Sequence, residues 1–305
     1  MKKTIIKRKL NTSSLVGFII LSIIIPCCIF FYENFNGGCS FGNDSKPITF
    51  FLSNPTWLIW LFMAFIQITF CINIIPFLIF KIMGLLSRFK FDNKELWKYI
   101  ILVVLFFLAT LLPNLIAGQT HICDFVKSNF VYHFSVKIYI LIGFGYLAVL
   151  VCIFALLLLN SILVKGIKDN FQDYIYLKDR LIIIINILGV ILTTSTIATG
   201  ILHKAVNNEN VFPAEFVFLY GLFNTFFIAL IFLPVYFKLN NMGKIIVENK
   251  LKKIPSNTEA KTFLEEKKTL EELFQTKEDY ISILKKVIPI LAPLLTSLLD
   301  FSGLK

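Results

Sequence analysis

Residues 181–201 have the sequence LIIIINILGVILTTSTIATGI, which contains no charged side chain. A helix needs about 20 consecutive apolar residues to cross the hydrocarbon core of a bilayer, which is about 30 Å thick. This stretch therefore predicts a membrane-spanning helix. Five further stretches have similar length and composition, so the sequence predicts six spans: Ser14–Phe31, Trp57–Phe80, Tyr99–Ile116, Ile138–Val164, Leu181–Ile201 and Phe216–Phe237.

The composition of the whole chain agrees with this prediction. Hydrophobic residues make up 57% of the 305 residues, charged residues make up 16%, and the mean hydropathy is +0.77. Soluble domains have about 45–50% apolar and about 25% charged residues, so an ordinary soluble enzyme is excluded. Barrel strands alternate in polarity and last about ten residues. We therefore expect an all-α polytopic membrane protein, with a six-helix transmembrane domain at residues 1–238 and a cytoplasmic helical tail at residues 239–305.

The basic residues predict the orientation of the chain. Of the 30 Lys and Arg residues, 26 lie in the N-terminal segment, the second and fourth loops and the tail, and only 4 lie in the other three loops. Short loops rich in Lys and Arg stay in the cytoplasm. Both termini are therefore expected in the cytoplasm, with the protein in the cytoplasmic membrane of a prokaryote. The net charge of +11 is explained by orientation and by attraction to the lipid bilayer, so no nucleic-acid partner is expected.

Chemical motifs are mostly missing from the sequence. The interiors of the predicted spans hold no Asp, Glu, Lys, Arg or His, whereas proton-coupled carriers usually place such a residue within the membrane. There is no H-E-x-x-H zinc motif and no phosphate-binding P-loop. We therefore expect neither an enzyme nor a bound metal or cofactor.

Uncharged polar residues within the spans are the more informative signal. An amide or hydroxyl group without a partner is costly in hydrocarbon. Two hypotheses follow: these side chains form hydrogen bonds between helices, or they line a water-filled pore or ligand cavity. The candidates for pore or cavity lining are Thr193, Thr194, Ser195, Thr196, Thr199, Asn224, Gln67 and Asn114.

Small residues recur on one face of the fifth and sixth spans. Such residues let two helix backbones approach closely. Since a short loop joins these spans, they are expected to pack on each other and to bring Asn224 near a hydroxyl group. The packing candidates are Gly189, Gly200, Gly221, Thr225 and Ala229.

Apolar residues in the tail follow the spacing of a heptad stripe, which predicts a homo-oligomer formed through the tail. Docking of a cytoplasmic protein, or of the tail on its own membrane domain, are the alternatives. The residues expected at the contact are Phe263, Leu270, Phe274, Ile281, Leu284 and Ile288.

The apolar end of the tail, Val287–Leu299, is too short to span a bilayer. It is expected to lie on the membrane surface, to pack on other subunits or to re-enter the bundle. Pro289 and Pro293 predict a kinked or broken helix there.

Two of the six cysteines, Cys39 and Cys123, lie in predicted outer loops. A disulfide between them is expected, because the outer side is oxidising. A metal site that uses nearby histidines and a pair of free thiols are the alternatives.

The sequence favours an oligomeric channel, pore or membrane-perturbing effector governed by its cytoplasmic tail. Its spans carry polar but uncharged groups, and its tail has heptad character. The alternatives are a facilitator or transporter of a neutral solute and a non-catalytic membrane subunit that docks a cytoplasmic partner.

Overall fold

The computed structural model describes residues 12–32, 54–91, 96–105, 133–165, 171–207, 211–252, 260–273 and 280–302, together with residues 51, 94, 108 and 131. These residues are almost entirely helical and form no strand, which confirms the all-α class. The helices are α1 (Thr12–Cys27), α2 (Pro55–Arg88), α3 (Phe134–Lys165), α4 (Phe171–Val206), α5 (Ala214–Leu251), α6 (Ala260–Leu273) and α7 (Tyr280–Ser302). A π-helical turn, Cys28–Tyr32, continues α1.

Four helices, α2 to α5, are long and apolar enough to cross a membrane. They contain four of the six predicted spans. Each has between 32 and 38 residues, which at about 1.5 Å per residue exceeds the thickness of a hydrocarbon core. The helices therefore extend beyond the apolar runs that mark them in the sequence.

The count of six spans is not confirmed. The apolar part of the first predicted span is a shorter helix, Gly17–Phe31. Of the third predicted span and its flank, the structure describes the short apolar helix Leu96–Leu105. Most of the remaining residues of that span lie outside the described part of the chain.

The hydrophobic core has two parts. The larger part joins side chains of α2, α3, α4 and α5 with Ile290 of α7. The smaller part lies at the end of the bundle where α2 begins and α4 ends. There the ring of Phe134 lies 6.0 Å from that of Trp57 and 5.2 Å from that of Trp60, which are ordinary aromatic packing distances.

The C-terminal helix α7 packs along α4 and α5. Ile290, Pro293 and Ser297 form its buried face, and they recur at helical spacing. Of the three placements considered for Val287–Leu299, the structure therefore shows the third, in which this segment joins the bundle. The shorter helix α6 lies beside α5.

Of the two forms predicted at Pro289 and Pro293, the broken helix is wrong, because α7 is continuous from Tyr280 to Ser302. A proline removes one backbone hydrogen bond and frees the carbonyl four residues earlier. The carbonyl that Pro293 frees is that of Pro289, and it lies against Gly189 of α4. Because Gly189 has no side chain, α4 leaves room for the part of α7 where Pro293 removes a backbone hydrogen bond.

Candidate functional site

Uncharged polar side chains connect α4 to α5 in the half of the bundle where α4 ends and α5 begins. Asn224 Nδ2 donates a hydrogen bond to Thr196 Oγ1 over 3.2 Å, and both side chains are buried. The hydroxyl groups of Ser195 and Tyr220 lie 2.8 Å apart. We call five residues the polar seam: Ser195, Thr196, Tyr220, Asn224 and Thr225. Paired hydroxyl and amide groups avoid the cost of leaving polar atoms unsatisfied away from water.

The helix α7 is bonded directly to the polar seam. The backbone N–H of Leu294 donates to Thr225 Oγ1 over 3.0 Å. One turn later, Ser297 is completely buried, and its hydroxyl group donates to the carbonyl of Leu294. A segment of the tail thus supplies part of the polar packing inside the bundle.

Two glycines explain why α7 can come so close. A Cβ atom placed at Gly189 would lie 2.8 Å from both the Cβ and the carbonyl oxygen of Pro289. A Cβ atom at Gly221 would overlap the side chain of Ser297 and lie 2.7 Å from the Pro293 carbonyl oxygen. Small residues let helix backbones approach. The sequence placed these glycines at the contact between α4 and α5, whereas the structure seats α7 against them.

The other residues of the predicted packing strips lie nearby in the same two helices. Gly200 is buried in α4. Ala229 of α5 is half-buried and packs against the larger core. Their positions are compatible with close packing of α4 and α5, which also contact each other directly.

The remaining hydroxyl residues of α4 bond mainly to their own helix. Thr194 donates to the carbonyls of Val190 and Ile191, and Thr199 donates to that of Ser195. Such local bonds satisfy a hydroxyl group without a partner helix. The hydroxyl oxygen of Thr193 is buried and has no hydrogen-bond partner among the described residues.

Gln67 lies apart from the polar seam, between α2 and α3. Gln67 is buried where α2 meets α3, with its Nε2 atom 3.8 Å from a Cβ position built on Gly145. Its Oε1 atom has no hydrogen-bond partner within the described ranges. Asn114 lies outside the described residues.

The sequence missed two contributors to these polar contacts. Tyr220 bonds to Ser195, and Ser22 of α1 accepts a 2.8 Å hydrogen bond from Asn73 of α2. Both residues look unremarkable in apolar stretches. Only the pairing of the helices shows that their hydroxyl groups meet a polar partner.

The heptad residues of the tail fall on two separate helices in the described structure. Phe263 of α6 is 37% exposed, Leu270 packs against the larger core, and Ile288 of α7 is 50% exposed. Phe274 lies outside the described residues, as do the side chains of Ile281 and Leu284. Self-association through these residues stays a prediction.

The proposed disulfide partners Cys39 and Cys123 also lie outside the described residues, so that prediction stays open. The cysteines that the structure describes are free thiols at Cys27, Cys28, Cys71 and Cys152. Within the described ranges, no group of three or more His, Cys, Asp or Glu side chains could hold a metal ion.

Comparisons with known proteins identify no relative of this chain. No protein-family model matches the chain, and no curated protein or solved structure matches it either.

Proposed function

We propose that the protein is a membrane channel or pore in which the C-terminal helix α7 closes a path along the polar seam. The proposal rests on the contacts that α7 makes with α4 and α5. Its Leu294 amide bonds to Thr225, and its proline face lies on Gly189 and Gly221. The helix that ends the tail thus covers the part of the membrane domain that has the most uncharged polar groups.

A path beside the polar seam would be lined by groups that can solvate water or a small ion. Thr196, Asn224 and Thr225 carry hydroxyl and amide groups but no charge. In the structure these groups bond to one another and to α7. Moving α7 away would leave Thr225 without that contact and would favour entry of water, because an unsatisfied polar group in hydrocarbon is unfavourable.

The hydrogen bond that holds α7 on the polar seam contributes little free energy by itself. A hydrogen bond between membrane helices contributes about 0.6 kcal/mol on average and rarely more than about 1.7 kcal/mol. The helix α7 makes one such hydrogen bond to α5 and also packs closely on the backbones of α4 and α5. A contact of this kind can be opened by a force on the tail, which connects α7 to α6 and to the charged segment before it.

Gly221→Leu tests the proposal directly. A leucine at this position would overlap Ser297 and push α7 off the polar seam. Full-length protein reconstituted in liposomes should then release trapped potassium or a small dye faster than the wild type. The matched control is Gly143→Leu, because a Cβ at Gly143 meets no atom within 4 Å.

The proposal is wrong if correctly folded Gly221→Leu protein leaks no more than the Gly143→Leu control. Circular dichroism and the elution volume in detergent would show that both variants are folded. Because both variants make the same Gly-to-Leu change within a membrane helix, a general effect of the larger side chain would appear in both.

The second candidate is a non-catalytic membrane subunit that docks a cytoplasmic partner. The observation in its favour is that α6 exposes Phe263, Leu264 and Leu273 beside charged residues. The same flux measurement separates the two candidates, since a docking subunit gives no flux with either glycine variant. A facilitator of a neutral solute has no comparable contact in its favour among the described residues.

A further inference from the structure

A group of cationic side chains lies where the end of α2 meets the beginning of α4. The guanidinium carbon of Arg88 is 4.5 Å from the centre of the Tyr176 ring, and that of Arg180 is 4.6 Å from the same centre. The Tyr176 hydroxyl group sits over Gly84, only 3.0 Å from the position of a Cβ atom there. One tyrosine thus brings two arginines from different helices close together.

The positive charges at this corner are only partly neutralised. Arg88 donates from Nε and Nη2 to the same Asp173 oxygen, each over 2.6 Å. Within the part of the chain that the structure describes, no carboxylate pairs with Arg180 or with Lys81. Lys81 lies three residues before Gly84 on the same face of α2, and its Nζ atom lies 4.7 Å from the centre of the Phe77 ring. Neither of these two cations therefore has a carboxylate partner among the described residues.

The Nε atom of Arg180 is buried and has no hydrogen-bond partner among the described residues. A buried N–H group without an acceptor is unfavourable, and more so when it is charged. The Tyr176 ring interacts with the flat face of the Arg180 guanidinium group. The Nε–H bond lies in the plane of that group, so it needs a separate acceptor. Arg180 Nε therefore lacks an acceptor among the described residues, although Asp173 serves the neighbouring Arg88.

We propose that Lys81, Tyr176 and Arg180 form a binding site for a phosphate group, with Arg88 at its edge. Guanidinium groups bind phosphate oxygens through paired hydrogen bonds, an ammonium group adds charge, and a phenol can donate one more bond. Basic pockets between membrane helices bind anionic headgroups on the cytoplasmic side. The charge pattern predicts that this end of the bundle is cytoplasmic. The phosphate can belong to an anionic phospholipid or be a free anion.

Native mass spectrometry of the full-length protein in detergent tests this site. Equal amounts of phosphatidylglycerol and phosphatidylcholine are added, and the lipid that stays bound is measured. The wild type should retain phosphatidylglycerol in preference to phosphatidylcholine. Arg180→Gln should reduce this retention about tenfold, because one charge-assisted hydrogen bond to phosphate is lost.

Lys244→Gln is the matched control, since it removes one charge from an exposed position on α5 at the same end of the bundle, next to Gly243, which lies against Tyr174. It should leave phosphatidylglycerol retention unchanged. Equal loss in the Lys244→Gln and Arg180→Gln proteins would overturn the proposal, because the attraction would then come from overall charge. Equal retention of the two lipids by the wild type would also overturn it.

Addition of inorganic phosphate at constant ionic strength separates the two sources of the ligand. Displacement of phosphatidylglycerol by phosphate supports a site that accepts the free anion. Retention of the lipid supports a headgroup site that also needs the acyl chains. If Arg180→Gln does not fold, Arg180→Lys keeps the charge but loses the planar fork, and unchanged retention in that variant would overturn the assigned role of Arg180.

Discussion

At the residue scale, Thr225 connects the membrane helix α5 to the end of the tail. Replacement by valine keeps the shape of the side chain but removes the oxygen that accepts the Leu294 N–H. We expect Thr225→Val to destabilise the protein by about 0.6 kcal/mol and by no more than about 1.7 kcal/mol, the average and upper values for a hydrogen bond between membrane helices. Thermal unfolding in detergent measures the effect.

Thr194→Val is the control for this measurement. The Thr194 hydroxyl group bonds only to carbonyls of its own helix among the described residues, so its loss leaves the contacts between helices intact. A melting temperature that falls equally in both variants would contradict a specific role for Thr225 in holding α7.

At the scale of the elements, α6 and α7 divide the heptad stripe between two helices with different surroundings. Leu270 is turned towards the larger core, while Phe263 is partly exposed. Of the single stripe predicted across the tail, α6 therefore presents only Phe263 outward. Lys267 and Lys268 form i,i+4 pairs with Glu271 and Glu272, which keep the rest of this helix polar.

Phe263→Asp tests whether the tail mediates self-association. A charge at an apolar contact between subunits would be unfavourable unless it is paired. We expect the particle mass in detergent, measured by light scattering, to fall to that of a smaller assembly. Thr269→Asp adds the same charge on another face of α6 and should leave the mass unchanged. A wild-type protein that is already monomeric would contradict self-association.

At the scale of the whole molecule, the position of α7 against α4 and α5 predicts the side of the membrane on which the C-terminus lies. Pro289 lies at the level of Gly189 in the middle of α4, and Ser297 lies at the level of Gly221, seven residues after α5 begins. That distance is about 10 Å along a helix. The five residues of α7 after Ser297 cover about 7.5 Å at about 1.5 Å per residue. With up to about 3.3 Å for each further residue, the chain can reach the surface at which α5 begins, which the charge pattern predicts to be the outer one.

We therefore expect a cysteine introduced by Lys305→Cys to react with a membrane-impermeant maleimide in intact cells, in a variant whose six native cysteines have been replaced. Lys252→Cys, at the other end of α5, should react only after the membrane is permeabilised. Protection of the Lys305→Cys protein in intact cells would support the cytoplasmic C-terminus that the charge pattern predicts.

The sequence by itself determined the all-α class, and four of its six predicted spans are helices of membrane-crossing length. Long runs such as 181–201 can satisfy their backbone groups in a bilayer only as helices, whatever their neighbours are. Polar residues within those runs were equally visible, because any hydroxyl or amide in hydrocarbon needs a partner.

Only the tertiary structure decided which partners those residues have. Gly189 and Gly221 were readable as places of close approach, but a glycine does not specify which backbone approaches it. The helix α7, separated from them by long stretches of chain, occupies both places. The cationic corner at Arg88 and Arg180 likewise depends on α2 and α4 ending and beginning side by side. Such contacts join residues that are distant along the chain, so local pattern and composition cannot select them.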